Sequence, residues 1–120
     1  MSLGIAFGVY ENIATMARDS GEYDFIIMDS DGCFDFELTH MFDTADKVIV
    51  VTDQSKKSVY ATNALVSNVN GINSEKYIFL CNKYEKEKEN ALISSEIILK
   101  FNVSEYIDYI PNYEIKKWRI

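Results

Sequence analysis

The sequence predicts an α/β fold in which helices cover both faces of a mostly parallel sheet of four or five strands. Short runs rich in Ile, Val, Phe or Tyr alternate with longer segments whose apolar positions recur every three or four residues. The run Phe25-Ile26-Ile27-Met28 contains no polar residue, which is typical of a strand buried on both faces in a parallel sheet. Strands that alternate with helices form βαβ crossovers, so the predicted architecture has three layers.

The predicted elements follow one another in regular alternation, and polar turn residues bound each strand. Gly21 ends the first helix, and Pro111 lies just past the last strand, where its missing N–H does no harm. Leu3–Tyr10 alternates apolar and small residues, so it is either a fifth strand or the lead into the first helix. The predicted strands are Tyr23–Asp29, Lys47–Thr52, Lys76–Cys81 and Tyr106–Ile110, and the predicted helices are Val9–Ser20, Phe36–Ala45, Ser55–Val69 and Glu89–Phe101.

Composition limits the class of protein. The 120 residues suit a single α/β domain, and 48% hydrophobic content is ordinary for a folded one. A net charge of −7 argues against direct nucleic-acid binding, which needs clustered Lys and Arg.

The cysteines indicate no metal site. Cys33 and Cys81 form no CxxC pair and there is one histidine, His40, so a zinc site is not expected. Cys81 ends an apolar run and is predicted to be buried. Two thiols without a disulfide framework, and no signal peptide or long apolar run, predict a cytoplasmic protein.

Two carboxylates follow the most apolar predicted strand. Asp29 ends the run and Asp31 stands just before Gly32. Ligands of open parallel sheets bind in the crevice at the carboxyl ends of the strands. Carboxylates in such a place hold Mg²⁺ directly or through water. Asp29 and Asp31 are therefore the candidate metal residues.

The order of these motifs resembles the C-terminal part of the ParA/MinD-type P-loop ATPases of the SIMIBI class. These are bacterial partitioning and positioning proteins, with a divergent branch that localises pilus-assembly machinery. YDFIIMDSDG is similar to the Walker B strand, YIFLCNKY to the strand whose asparagine contacts adenine, and YIDYIPNYE to the strand ending in Ile-Pro beside the base. The resemblance implies a P-loop-NTPase-like sheet, a magnesium role for Asp29 with help from Asp31, and a base pocket framed by Asn82 and Pro111.

The chain departs from that family at its phosphate-binding loop. No G-x-x-x-x-G-K-[ST] motif occurs, and none of the five glycines is followed by lysine. Contacts of that loop with the phosphates supply most of phosphoryl-transfer catalysis. The chain is therefore expected to be the C-terminal portion of a larger nucleotide-binding domain, inactive alone, with ATP and Mg²⁺ binding only if the loop is supplied.

Alternatives from other classes remain open. The chain also fits a non-catalytic α/β interaction module, in which Asp29 and Asp31 only form a turn. NKYE at Asn82 approximates the N-K-x-D motif of GTPases, and the order Asp29, Thr52, Lys83 approximates that of a phosphoacceptor receiver domain. The expected partner is a protein, either another chain or a second copy. The basic tail KKWRI is a candidate for weak contact with anionic membrane.

Overall fold

The computed structural model describes residues 9–30, 36–69, 71–72 and 74–111. The chain divides into two compact units, Met1–Val48 and Ile49–Ile120, which are treated separately below. It is an α/β protein, and its described residues contain a three-stranded parallel sheet in the order β1-β2-β3. Three strands do not confirm the predicted sheet of four or five.

The first unit is built on two helices that pack against each other, α1 (Val9–Ser20) and α2 (Phe36–Thr44). Both helices confirm the sequence prediction. Helix α1 ends at Gly21, whose φ of +69° is a left-handed conformation that glycine adopts without strain. The Arg18 guanidinium donates a hydrogen bond to the Thr44 carbonyl at the end of α2. The buried side chains of these helices are Ala14, Leu38 and Met41.

The predicted strand Tyr23–Asp29 is wrong. These residues follow α1 as an irregular segment that belongs to no strand. An apolar run becomes a strand only when a neighbouring backbone satisfies its N–H and C=O groups. Each of the three strands in the described part of the chain pairs with another of the three, and none pairs with this run.

The sheet is formed by β1 (Val48–Thr52), β2 (Tyr77–Tyr84) and β3 (Val103–Asp108). Strand β1 begins at the last residue of the first unit. These three of the four predicted strands are confirmed with shifted ends. Burial along β1 alternates, and Ile49 and Val51 are exposed. Strand β1 is therefore covered on one face, where the prediction had both faces covered. Strand β2 pairs in parallel with β3, with Cys81 beside Tyr106.

Helix α3 (Lys56–Ser67) connects β1 to β2 and confirms the helix predicted from Ser55. Ser55 caps its N-terminus by accepting a hydrogen bond from the Ser58 N–H. The core of this unit is apolar and includes the predicted buried thiol of Cys81. Its buried residues include Val50, Val59, Val66, Phe79, Ala91, Leu92, Ile97 and Phe101.

The predicted helix Glu89–Phe101 is also wrong. Only one 3₁₀ turn forms, at Ala91–Ile93, and irregular chain follows it. Hydrogen bonds from distant residues replace those that a helix would make. The Asn63 side chain donates to the Ile98 carbonyl at 3.0 Å and accepts from the Lys100 N–H at 2.9 Å. The segment still buries most of its predicted apolar positions, including Leu92 and Phe101.

Candidate functional site

Polar residues gather where β1 and β2 end. β1 runs directly into Asp53, Gln54 and Ser55, and Ser55 is the cap of α3. The Asp53 carboxylate accepts hydrogen bonds from the Ser55 backbone N–H, at 2.8 Å, and from its hydroxyl. These local bonds fix the turn between β1 and α3. The carboxyl edge of a parallel sheet is where α/β proteins bind ligands, so this edge is a candidate site.

Gln54 joins the ends of β1 and β2. Its side chain is buried, and its Nε2 group donates to the carbonyl oxygens of Glu85, Lys88 and Glu89 at 3.2, 3.1 and 2.9 Å. Its Oε1 accepts from the Glu85 N–H at 2.7 Å. The Gln54 backbone carbonyl accepts from the Ala91 N–H at 2.8 Å. One glutamine therefore holds the whole connection from β2 to the 3₁₀ turn, and its hydrogen bonds are used for structure.

Lys83, near the end of β2, has the least common backbone conformation of the described residues. The φ angle of Lys83 is +54°, which lies in the left-handed region. In the described part of the chain, Lys83 is the non-glycine residue with a positive φ. Such a conformation costs about 1–2 kcal/mol in an L-residue. The positive charge of Lys83 contributes least among the influences that lower the pKa of the Asp53 carboxylate.

Asp53 is held in its charged form. Its partial burial is the largest single influence and raises the pKa, but hydrogen bonds from Ser55 and Ser58 and the charge of Lys83 together outweigh that effect. The net result is a pKa below the ordinary value. Burial raises the pKa of the Cys81 thiol, and the negative charge of Asp53 raises it further. The thiol is therefore kept neutral and is a poor nucleophile.

The predicted base-pocket residues lie in the second unit. Asn82 is within β2, two residues before its end, and is half-buried. Pro111 follows the end of β3, the neighbour of β2, and is also half-buried. The resemblance implied that each stands at the end of its strand, whereas Asn82 lies inside β2 and Pro111 stands three residues past the end of β3. Their roles in binding a base stay predictions.

The predicted metal residues are placed differently. Asp29 is exposed and lies in the irregular segment of the first unit, on no strand. Asp31 and Cys33 lie outside the described residues, as do Leu3–Gly8 and the basic tail. Among residues that the structure describes, no group of three His, Cys, Asp or Glu side chains could hold a metal ion.

The segment Tyr23–Asp29, called the acidic strip below, is a second candidate site. Phe25 and Ile27 are 89% and 90% exposed, and Ile26 is less exposed at 41%. Exposure alternates over the middle of the segment, because Met28 is half-buried and Ile26 is about half as exposed as its neighbours Phe25 and Ile27. Within the described residues, the backbone of this segment bonds to no other strand. Such a surface is uncommon on a protein that acts alone.

The charge of the chain is concentrated around the acidic strip. Residues 19–46 contain nine Asp and Glu and no Lys or Arg. Met1–Val48 carries ten carboxylates and two cations, a net charge of −8, whereas Ile49–Ile120 carries nine carboxylates and ten cations, a net charge of +1. The total charge gives no hint of this division. The sequence analysis did not identify the strip as an exposed surface. The long stretch without a cation is the sequence signal that could have indicated it.

No family model, curated protein or solved structure matched the chain. Within the described residues, no helix is long and apolar enough to cross a membrane.

Proposed function

We propose that this chain is the Walker-B-containing part of a ParA/MinD-like positioning ATPase, without the phosphate loop, and that it works as a non-catalytic protein-interaction module. On this proposal the protein is cytoplasmic, and the divergent branch that localises pilus-assembly machinery is one branch of the family to which it could belong. The order β1, α3, β2, β3 in a parallel sheet supports the architecture. The missing G-x-x-x-x-G-K-[ST] loop supports the lack of catalysis.

One observation carries the interaction role. The run that resembles the Walker B strand is exposed along its apolar side chains, with Phe25 and Ile27 about nine-tenths accessible. Burying such side chains against a partner is favourable by roughly 1.5–3 kcal/mol each. The same run has no strand neighbour in the described part of the chain. A partner that supplies apolar surface and backbone hydrogen bonds would satisfy both needs.

The lack of catalysis is tested by calorimetric titration with Mg-ATP and, in parallel, Mg-GTP. We expect no heat of binding from either nucleotide and no phosphate release on incubation. Asp29→Ala is the diagnostic variant, and Glu96→Gln, an exposed carboxylate of the second unit, is its matched control. Micromolar ATP binding that is lost in Asp29→Ala and kept in Glu96→Gln would contradict the proposal.

A second candidate function is nucleotide binding when another polypeptide supplies the phosphate loop. The placement of Asn82 on β2 and Pro111 just beyond the neighbouring β3 favours it. In that case Asn82→Ala would weaken ATP binding by the completed protein, whereas Asn68→Ala, on the exposed end of α3, would not. Equal binding by both variants would remove Asn82 from the base pocket.

A further inference from the structure

We propose that the acidic strip, Tyr23–Asp29, docks an extended cationic segment of a partner protein that adds alongside it as a β-strand. The inference rests on the proposed interaction role and names the partner's chemistry: alternating apolar and Lys or Arg residues. Three properties of the strip lead to it, namely exposed apolar residues at alternate positions, a backbone that pairs with no strand of the described residues, and the charge around it.

The apolar side fixes what the partner must bury. Tyr23, Phe25 and Ile27 alternate along the chain and are 60%, 89% and 90% exposed. A strand that presents apolar side chains at every second position matches this spacing, because alternate residues of a strand share one side. A helix repeats its apolar positions every three or four residues and would match them poorly.

The backbone fixes how the partner binds. Peptides commonly bind to exposed strand edges by adding a strand, with main-chain hydrogen bonds for affinity and side-chain contacts for specificity. In the described part of the chain, the N–H and C=O groups from Tyr23 to Asp29 pair with no other strand. An extended partner would satisfy these groups along the whole segment.

The negative charge around the strip determines that the partner segment should be positively charged. Glu22, Asp24 and Asp29 are exposed, and no ion pair to them is found among the described residues. The nearest cations along the chain are Arg18, which donates to the Thr44 carbonyl, and Lys47. With a net charge of −8 on Met1–Val48, a second copy of the chain would be repelled, whereas a cationic strand would be attracted.

The experiment uses the full chain and four fluorescein-labelled heptapeptides, with binding followed by anisotropy. The cationic probe alternates Lys and Val, the anionic probe alternates Glu and Val, and the neutral probe alternates Thr and Val. A fourth peptide keeps the cationic charge but has proline at its central valine, which removes a backbone donor and disfavours pairing. We expect the cationic probe to bind at least about tenfold more tightly than each of the others, and to weaken as salt screens the charges.

Two double variants locate the binding surface. Phe25→Ser with Ile27→Ser should weaken the cationic probe at least about tenfold, and Asp24→Asn with Asp29→Asn should reduce the salt dependence. The matched control is Ile93→Ser with Ile98→Ser, which removes two equally exposed apolar side chains of the second unit and should leave binding unchanged. Circular dichroism of each variant confirms that it is folded.

Each other outcome overturns the inference in a different way. Equal binding of the proline peptide would mean that charge alone attracts the probe. Equal binding of the neutral probe would show that the partner need not be cationic, and the proposed interaction role would stand. Sedimentation showing a dimer that Phe25→Ser with Ile27→Ser dissociates would identify a second copy as the occupant. No binding by any peptide would exclude an added cationic strand as the partner, whereas the exposure of Phe25 and Ile27, on which the proposed interaction role rests, would stand.

Discussion

Gln54 determines the path of the chain after β2. Its amide group bonds to three carbonyl oxygens and one N–H between Glu85 and Glu89. A buried glutamine is stable only with such complete bonding, since an unpaired buried polar group costs roughly 1–3 kcal/mol. Gln54 therefore has a structural role at this edge of the sheet.

Gln54→Ala should lower the free energy of unfolding by about 2–4 kcal/mol, because it leaves buried backbone groups without partners. Gln54→Glu should be at least as damaging at neutral pH, since a carboxylate cannot donate to the carbonyls of Glu85, Lys88 and Glu89. Urea unfolding measures both. Asn68→Ala, which removes one exposed side-chain bond to the Ala64 carbonyl, is the control and should cost far less. A Gln54→Glu protein as stable as wild type would refute the assigned bonding.

Asp53 should make stability depend on pH in the acid range. Burial raises its pKa, but hydrogen bonds from Ser55 and Ser58 and the charge of Lys83 together lower it more, so the folded value lies below the ordinary value of 3.8. A lowered folded pKa contributes stability that is present above the unfolded pKa and is lost as pH falls through the folded value. Wild type should therefore exceed Asp53→Asn in stability at neutral pH, and the difference should shrink as pH falls below 3.8.

Urea unfolding of wild type and Asp53→Asn at a series of pH values checks this expectation. Ser55→Ala removes the hydroxyl that bonds to Asp53 and should reduce the same pH dependence. Glu96→Gln, an exposed carboxylate, should not. A difference between wild type and Asp53→Asn that stays constant, or grows toward acid pH, would contradict the assigned cause.

At the scale of elements, the segment from Glu89 to Phe101 shows how tertiary contacts override a helical pattern. Its apolar positions have helical spacing, yet Gln54 and Asn63 bond to its backbone from 35 positions earlier in the chain. The Phe101 ring packs on Phe79 of β2, with ring centroids 5.1 Å apart. The segment therefore contributes to the core through irregular chain, and the 3₁₀ turn is its only regular part within the described residues.

Phe101→Ala should destabilise the chain by about 3–5 kcal/mol, because a buried aromatic leaves a cavity. Ile93→Ala, in the same segment but 78% exposed, should change stability by less than about 0.5 kcal/mol. A true helix with one apolar side would place Ile93 beside Leu92 and Ile97 in the core. Comparable losses from the two variants would therefore indicate the helix and contradict the described chain path.

At the scale of the whole molecule, the structure predicts unequal protection of its backbone. Hydrogen exchange reports local opening, and amides bonded within a buried sheet exchange most slowly. The amides of Phe79 and Cys81, on the central strand of the sheet, should be the best protected. Those of Phe25–Met28 should exchange at near-unfolded rates, because the described residues give them no strand partner.

Exchange followed by mass spectrometry or NMR checks this difference. Addition of the Lys-Val heptapeptide should slow exchange in Phe25–Met28 and leave β2 unchanged. Slow exchange of Phe25–Met28 in the free chain would show that this segment is already paired, and would contradict the exposed segment on which both proposals depend.

The sequence by itself determined the helices α1, α2 and α3, whose predicted ends lie within about two residues of the observed ones, and the three sheet strands. Those features depend on local signals: apolar spacing, the Ser55 cap and Gly21 after α1. The resemblance also implied that Asn82 and Pro111 frame a base pocket, and this role stays a prediction.

The tertiary structure decided the elements that need a distant partner. Tyr23–Asp29 has the composition of a buried strand, but a strand requires a neighbour to bond its backbone, and the described chain gives it none. Glu89–Phe101 has the spacing of a helix, but Gln54 and Asn63 compete for its backbone from far along the chain. The composition of a segment indicates how much apolar surface it can bury. Only the folded chain determines which distant groups form hydrogen bonds with its backbone.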